Sequence, residues 1–229
     1  SGCVDAGSFV DLDFEHAQLV RSNLGGQGGR CDTLAGGCVE VRDASTPNEL
    51  YLSNAGRLPS GEGIDLRVTN ESEYRAWRSD RNGLVQRGVD PYPQGIINLL
   101  GPRLPGQSGE WDPSFTFVTL RFAFVHATSG APVRLPRAFV TVYDFDTGAN
   151  PNQLECAQVR GAETVSRNVG TEVVSSSEDA FLARLDNTSS LRPAWTAWNE
   201  PVYCSSTYGS GADNPVDPTT MTTLQKSRS

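Results

Sequence analysis

An all-β fold is what this sequence predicts: a jelly-roll-like antiparallel β-sandwich with one short helix and long loops. Three observations predict it. Gly and Pro are abundant, 23 and 14 of 229 residues, which favours many turns over long helices. Several short stretches alternate apolar and polar residues, the period of a half-buried strand. The densest apolar, β-branched and aromatic stretch, residues 115–148, reads as two long strands, a polar connection and an acidic exit. At this length one domain spanning 1–229 is expected, with N-terminal strands and a cysteine-containing loop in 1–60 and a polar segment in 205–229.

The elements follow in order. Val10, Leu12 and Phe14 alternate with Asp11 and Asp13, a half-buried strand whose acidic side needs no ion to explain it. The glycines of Gly25-Gly26-Gln27-Gly28-Gly29 read as a flexible loop. Neither a following helix nor a Lys is present to make it a phosphate cradle. Short strands are expected at Val39–Val41 and Leu50–Leu52, split by the turn Ser45-Thr46-Pro47-Asn48, and a further one at Ile64–Val68. The stretch 70–82 is the helix candidate. Asn70 would cap it, Glu73 stands at the capping-box position, Tyr74, Trp77 and Arg81 would share a face, and Gly83 would stop it. Trp77 reads as a core plug rather than a sugar platform. Residues 95–100 form an apolar island, a buried strand.

Residues 115–125 are apolar or small on both sides, interrupted only by Arg121, which places that strand in the middle of a sandwich. Residues 139–145 are its expected neighbour. The connection between them is too long for a tight hairpin and carries Pro132 and Pro136. Further strands are expected around Cys156–Val159, Thr171–Val174 and Phe181–Leu185.

Charge and cysteines restrict function. The formal net charge is -8 and no basic run exists to neutralise phosphates, which argues against a nucleic-acid surface. No stretch of 18 apolar residues is present to cross a membrane as a helix. The opening SGCVDAG has neither a charged nor an apolar leader region, so any signal peptide is expected to have been removed or never present. The five cysteines include no C-x-x-C pair and there are only two His, a poor set for zinc. Disulfides are the better reading: Cys31 with Cys38 across a small loop, Cys156 with Cys204, and Cys3 left to pair outside the chain. The sequons at Asn70 and Asn187 are candidate glycosylation sites, and with the cysteines they point to a secreted or cell-surface protein. An Asn70 side chain engaged as a cap would be less open to a glycan.

Several motifs together resemble a known family. They are Gly95-Ile96-Ile97-Asn98-Leu99, Phe122 and Phe124, Ser129-Gly130-Ala131-Pro132-Val133, Leu135-Pro136, Val140, Val142-Tyr143-Asp144-Phe145-Asp146 with Gly148, and Tyr208-Gly209-Ser210-Gly211-Ala212-Asp213-Asn214-Pro215-Val216-Asp217-Pro218. As a set they resemble a secreted β-rich domain of cell-surface and extracellular proteins in marine microalgae and related protists. The resemblance covers roughly residues 64 to 229. It implies an extracellular location and brings no biochemical activity with it. It also implies a further apolar strand after Ser229, so a processed chain or a strand supplied from elsewhere is expected.

Three constellations could carry chemistry. Asp144 and Asp146 precede Gly148, Asn150, Asn152 and Glu155, an oxygen-rich run suited to calcium. Glu155 stands twelfth from Asp144, but Ala149 occupies the EF-hand glycine position and a strand precedes the run, so an irregular calcium loop is the reading kept. Asp213 and Asp217 form a second oxygen-rich segment, for which an Asx-Pro turn is the plainer explanation. Trp198-Asn199-Glu200-Pro201 is similar to the acid/base signature of retaining glycosidases. Those enzymes need a second carboxylate about 5 Å away, and no Glu follows Glu200. The function expected is therefore non-enzymatic: a module for extracellular assembly or adhesion, calcium-stabilised, partnered by other extracellular chains or by copies of itself. The alternative is a carbohydrate-binding module that stacks sugars on Trp195, Trp198, Tyr203 or Tyr208.

Overall fold

A computed structural model describes residues 11–12, 14–28, 47–79, 82–85, 94–100, 117–135, 140–142, 155–165, 173–176 and 200–205. Their regular structure is strands in antiparallel sheets with one short 3-10 turn, an all-β arrangement; among the described residues there is no α-helix. The chain divides into two compact units: Ser1–Leu100 with Thr116–Phe139, and Gly101–Phe115 with Val140–Ser229.

The first unit is built on strands β3 (Glu49–Arg57) and β4 (Gly63–Asn70), which pair with each other. β7 (Leu120–His126) pairs with the far edge of β4 over its whole length. β1 (Asp11–Leu12) pairs with Gly56 and Arg57, and β2 (Gln18–Ser22) pairs with Leu50–Ser53. Since β4 takes one edge of β3, β1 and β2 share the other. They act as one edge strand interrupted by a short excursion.

Alternation decides which residues are buried. Leu50 and Leu52 on β3 lie opposite Val68 and Leu66 on β4, and all four are buried with Ala55 and Leu84 in one core. Phe14, Leu19, Ile97, Leu120 and Phe124 pack against that core. Leu84 arrives on a small hairpin of β5 (Gly83–Val85) and β6 (Gln94–Ile96). The intervening residues of β3 and β4, Glu49, Tyr51, Asp65 and Arg67, lie on the opposite face.

The ladder is broken once. Leu52 pairs with Leu66 and Gly56 with Ile64, so Ser53, Asn54 and Ala55 stand against Asp65 alone. Asn54 takes a left-handed backbone at φ 56°, a conformation Asn tolerates better than most residues. Its N–H, freed from the ladder, donates to Asp65 Oδ1 at 2.9 Å.

The helix expected after Asn70 is not found: among the described residues 71–79 there is no α-helix, and residues 80 and 81 lie outside the described part. Asn70 ends β4, and Tyr74 is buried with its single hydroxyl proton shared between the Asn98 carbonyl at 2.5 Å and Asn82 Oδ1 at 3.0 Å. Burying that ring outweighs a capping signal worth about 1 kcal/mol. Trp77 is 59% exposed and is not a core plug. Gly83 begins a strand instead of stopping a helix.

The glycine segment is not a free loop. Leu24–Gly26 forms a 3-10 turn with Leu24 fully buried. Gln27 clamps the 74–76 backbone, donating to the Tyr74 carbonyl and accepting the Ala76 N–H at 3.1 Å. Gly25 has φ 65°, and a Cβ there would meet Tyr74 Cδ1 at 2.8 Å. Gly25→Ala is therefore expected to cost about 1–3 kcal/mol, read as a lower urea midpoint with an unchanged slope.

The central pairing differs in its described part, residues 139 and 143–145 lying outside the described residues. β7 pairs with β4, and its other edge at Phe124–His126 is met by the chain folding straight back. His126 N–H donates to the Ala131 carbonyl at 2.9 Å and Val133 N–H to the Phe124 carbonyl at 2.8 Å. Residues 140–142 lie outside any strand, with Val140 and Val142 exposed. Nor is β7 buried on both faces, since Phe122 is 51% exposed. The turn at Thr128-Ser129-Gly130, with Gly130 at φ 68°, folds the start of the connection back onto β7.

The second unit contains a three-stranded antiparallel sheet in the order β8 (Cys156–Gln158), β10 (Val202–Ser205), β9 (Val173–Ser176). β8 and β9 lie where strands are expected, whereas β10 was not anticipated. Val173, Val202, Cys204 and Ser205 are buried. The expected strands at 39–41 and 181–185 lie outside the described residues.

Candidate functional site

The polar face of the first unit's sheet gathers its charged groups around Glu49. This carboxylate is only 3% exposed. Arg21 of β2 donates to its Oε1. Arg67 of β4 grips its Oε2 through Nε at 2.8 Å and Nη2 at 2.7 Å. The arrangement follows from register, because Tyr51 lies opposite Arg21 on one side and Arg67 on the other, one strand step from Glu49. The Arg21 guanidinium also lies 5.7 Å from the Tyr51 ring centre, within cation–π range.

Tyr51 donates to Asp65 Oδ2 at 2.5 Å, while Asp65 Oδ1 receives the Asn54 N–H. The buried Asp65 thus ties the bulge to the sheet. Burial of the Tyr51 hydroxyl, then its hydrogen bond to Asp65 and the negative charges of Asp65 and Glu49, push its pKa up to about 12; Arg67 opposes them. Unfolded tyrosine ionises near pH 10. Because the folded value is raised, the stabilisation is present below pH 10 and is lost as pH rises from about 10 through 12. Melting temperature should fall over that window, and Tyr51→Phe should flatten the fall.

A second cluster lies around the Gly25 turn. Asn70 Oδ1 accepts the Gly25 N–H at 3.1 Å and Asn70 Nδ2 donates to the Ser72 carbonyl at 2.8 Å. Asn82, fully buried, accepts the Asn98 N–H at 2.7 Å as well as the Tyr74 hydroxyl. Burial raises the Tyr74 pKa, with the hydrogen bond to Asn82 acting the other way. Both clusters have the chemistry of structural locks. Their donors and acceptors face one another except at Asn82 Nδ2, which is buried without a hydrogen-bond partner among the described residues.

Among the residues singled out from sequence, Cys156 and Cys204 are joined by a disulfide. Glu155 is exposed at the start of β8, and its main chain is tied to Ser205 by two hydrogen bonds of 2.9 and 3.2 Å. Glu200 precedes β10 and its carbonyl accepts from the Gln158 side chain at 2.7 Å. Tyr203 lies half-buried in β10. Asp144, Asp146, Asp213, Asp217, Trp195, Trp198, Tyr208, Cys3, Cys31, Cys38 and Asn187 lie outside the described residues. Among the described residues no three His, Cys, Asp or Glu side chains gather to hold a metal.

Sequence reasoning missed Glu49, Tyr51, Asp65 and Arg67 as a group. The signal was present: E-L-Y-L and D-L-R-V each alternate, with the leucines marking one face and the polar residues the other. Comparison of the chain with protein-family models, curated proteins and solved structures finds no match.

Proposed function

We propose that this protein is a non-enzymatic β-sandwich module, jelly-roll-like in architecture, that acts outside the cell in assembly or adhesion. The observation that carries the reading is the Cys156–Cys204 disulfide between β8 and β10. Structural disulfides persist in oxidising compartments and are rare in the cytosol. The Glu49 cluster supports a scaffolding role, since its carboxylates are paired with Arg21, Arg67 and Tyr51. The partners proposed are other extracellular chains or further copies of this one. The test is purification of the untagged chain from its source, with its neighbours identified. Recovery from an extracellular fraction within a defined assembly is expected, and a strictly monomeric chain at high concentration would count against it.

Calcium belongs to this proposal as a stabiliser held by Asp144, Asp146 and Glu155 and by Asp213 and Asp217, all oxygen donors. A chelator should then lower the melting temperature, and restored calcium should return it.

Exposed Trp77 favours a second reading, a carbohydrate-binding module. An aromatic face open to solvent can stack on a sugar ring, as Trp195, Trp198 and Tyr208 would in the same reading. Glycan-array binding that disappears on Trp77→Ala or Trp198→Ala would favour it over assembly.

A further inference from the structure

The sequon at Asn70 has a chemistry that the fold withdraws. We propose that a glycan on Asn70 and the folded state of this chain exclude each other, so that Asn70 serves as a structural clamp and carries no sugar in the native protein. The inference rests on the extracellular reading only for its relevance in the cell.

Both ends of the amide are engaged, Oδ1 by the Gly25 N–H at 3.1 Å and Nδ2 by the Ser72 carbonyl at 2.8 Å. The sequon hydroxyl is engaged too, because Ser72 Oγ accepts the Thr119 N–H at 2.9 Å. The residue between them is bound as well, with Glu71 N–H donating to the Thr119 carbonyl at 2.8 Å. All three sequon residues are thus fixed, with Asn70 itself in the β4–β7 ladder opposite Leu120.

N-glycosylation replaces one hydrogen of Nδ2 with a bulky sugar, whose first carbon stands beside Oδ1. That is the side from which Gly25 approaches. The Gly25 turn itself has no slack to give way, since a single added carbon on Gly25 would already lie 2.8 Å from Tyr74 Cδ1. A sugar at this point must open the Gly25–Asn70 bond, and with it the turn that seats Tyr74.

The full chain would be sent through the secretory pathway of a glycosylating host, behind a supplied leader and a reporter sequon on a terminal tag. Glycopeptide mass spectrometry would read occupancy in the folded, secreted pool. The reporter should be occupied and Asn70 empty. Ser72→Thr, which keeps the hydroxyl and favours transfer, supplies a forced arm. Chains occupied at Asn70 should melt roughly 5 °C or more below unoccupied chains of the same variant. Occupied Asn70 with an unchanged melting temperature would overturn the proposal. The leader forces exposure to the transferase, so finding the native protein inside cells would remove the extracellular reading and leave this exclusion standing.

Discussion

Replacing Glu49 by Gln is expected to lower stability by about 3 kcal/mol. The reason is an imbalance of exposure. Glu49 is 3% exposed, whereas Arg21 and Arg67 are 29% and 41% exposed. The wild-type carboxylate is desolvated but bound by two guanidiniums, with three N–H groups on its two oxygens. Gln keeps the shape and one carbonyl oxygen. It turns the other oxygen into an NH2 group facing a guanidinium, so one attractive contact becomes a donor–donor clash. Because both arginines reach water, they can swing out, which holds the cost near the low end of the range for breaking a buried pair. Urea unfolding at neutral pH measures it. Arg67→Met should cost less than Glu49→Gln, since Arg21 still neutralises the carboxylate. Equal costs for the two would mean that packing of the arginine stem matters more than charge.

Much of the first unit was legible in the sequence, and the reason is periodicity. Strands around Leu50–Leu52 and Ile64–Val68 were expected, and β3 and β4 contain them with the leucines on the core face. Strand extent was less legible. β3 runs from Glu49 to Arg57 because a bulge at Asn54, held by Asp65, carries it past a point where alternation fails. Partner choice was not legible at all. The pairing of β7 with β4 is set by contacts some 56 residues apart in sequence, as with Val68 and Phe122 at numbers differing by 54, and local pattern carries no record of it. The error over 70–82 has a different origin. Capping signals are local, and burial of Tyr74 against Asn82, Asn98 and Gly25 is not. For the candidate site, the cysteine count led to the Cys156–Cys204 pair, whereas the Glu49 cluster needed register. Alternation told which face each residue occupies, but only strand order sets Arg21 and Arg67 on either side of Tyr51.

Removing the disulfide should have a comparable effect, confined to the second unit. Cys156 and Cys204 are 48 residues apart and lie directly opposite each other in the β8–β10 ladder. Closing a loop of that length in the unfolded chain is worth about 4 kcal/mol on the chain-entropy model. Cys156→Ser with Cys204→Ser should therefore destabilise the β8–β10–β9 sheet by about 2–4 kcal/mol. The buried Cys204 sets the upper part of that range, because a Ser hydroxyl at a 1% exposed position needs a hydrogen-bond partner that the sulfur did not. Two further features separate loop entropy from packing. Ala at both positions removes the hydroxyl, so a smaller loss than with Ser would isolate the polar cost. Hydrogen exchange gives the location: faster exchange at Ser205 N–H, bonded to the Glu155 carbonyl at 2.9 Å, with Asn23 N–H, bonded to the Glu49 carbonyl at 2.9 Å, unchanged. Equal acceleration at both amides would show that the two units unfold together.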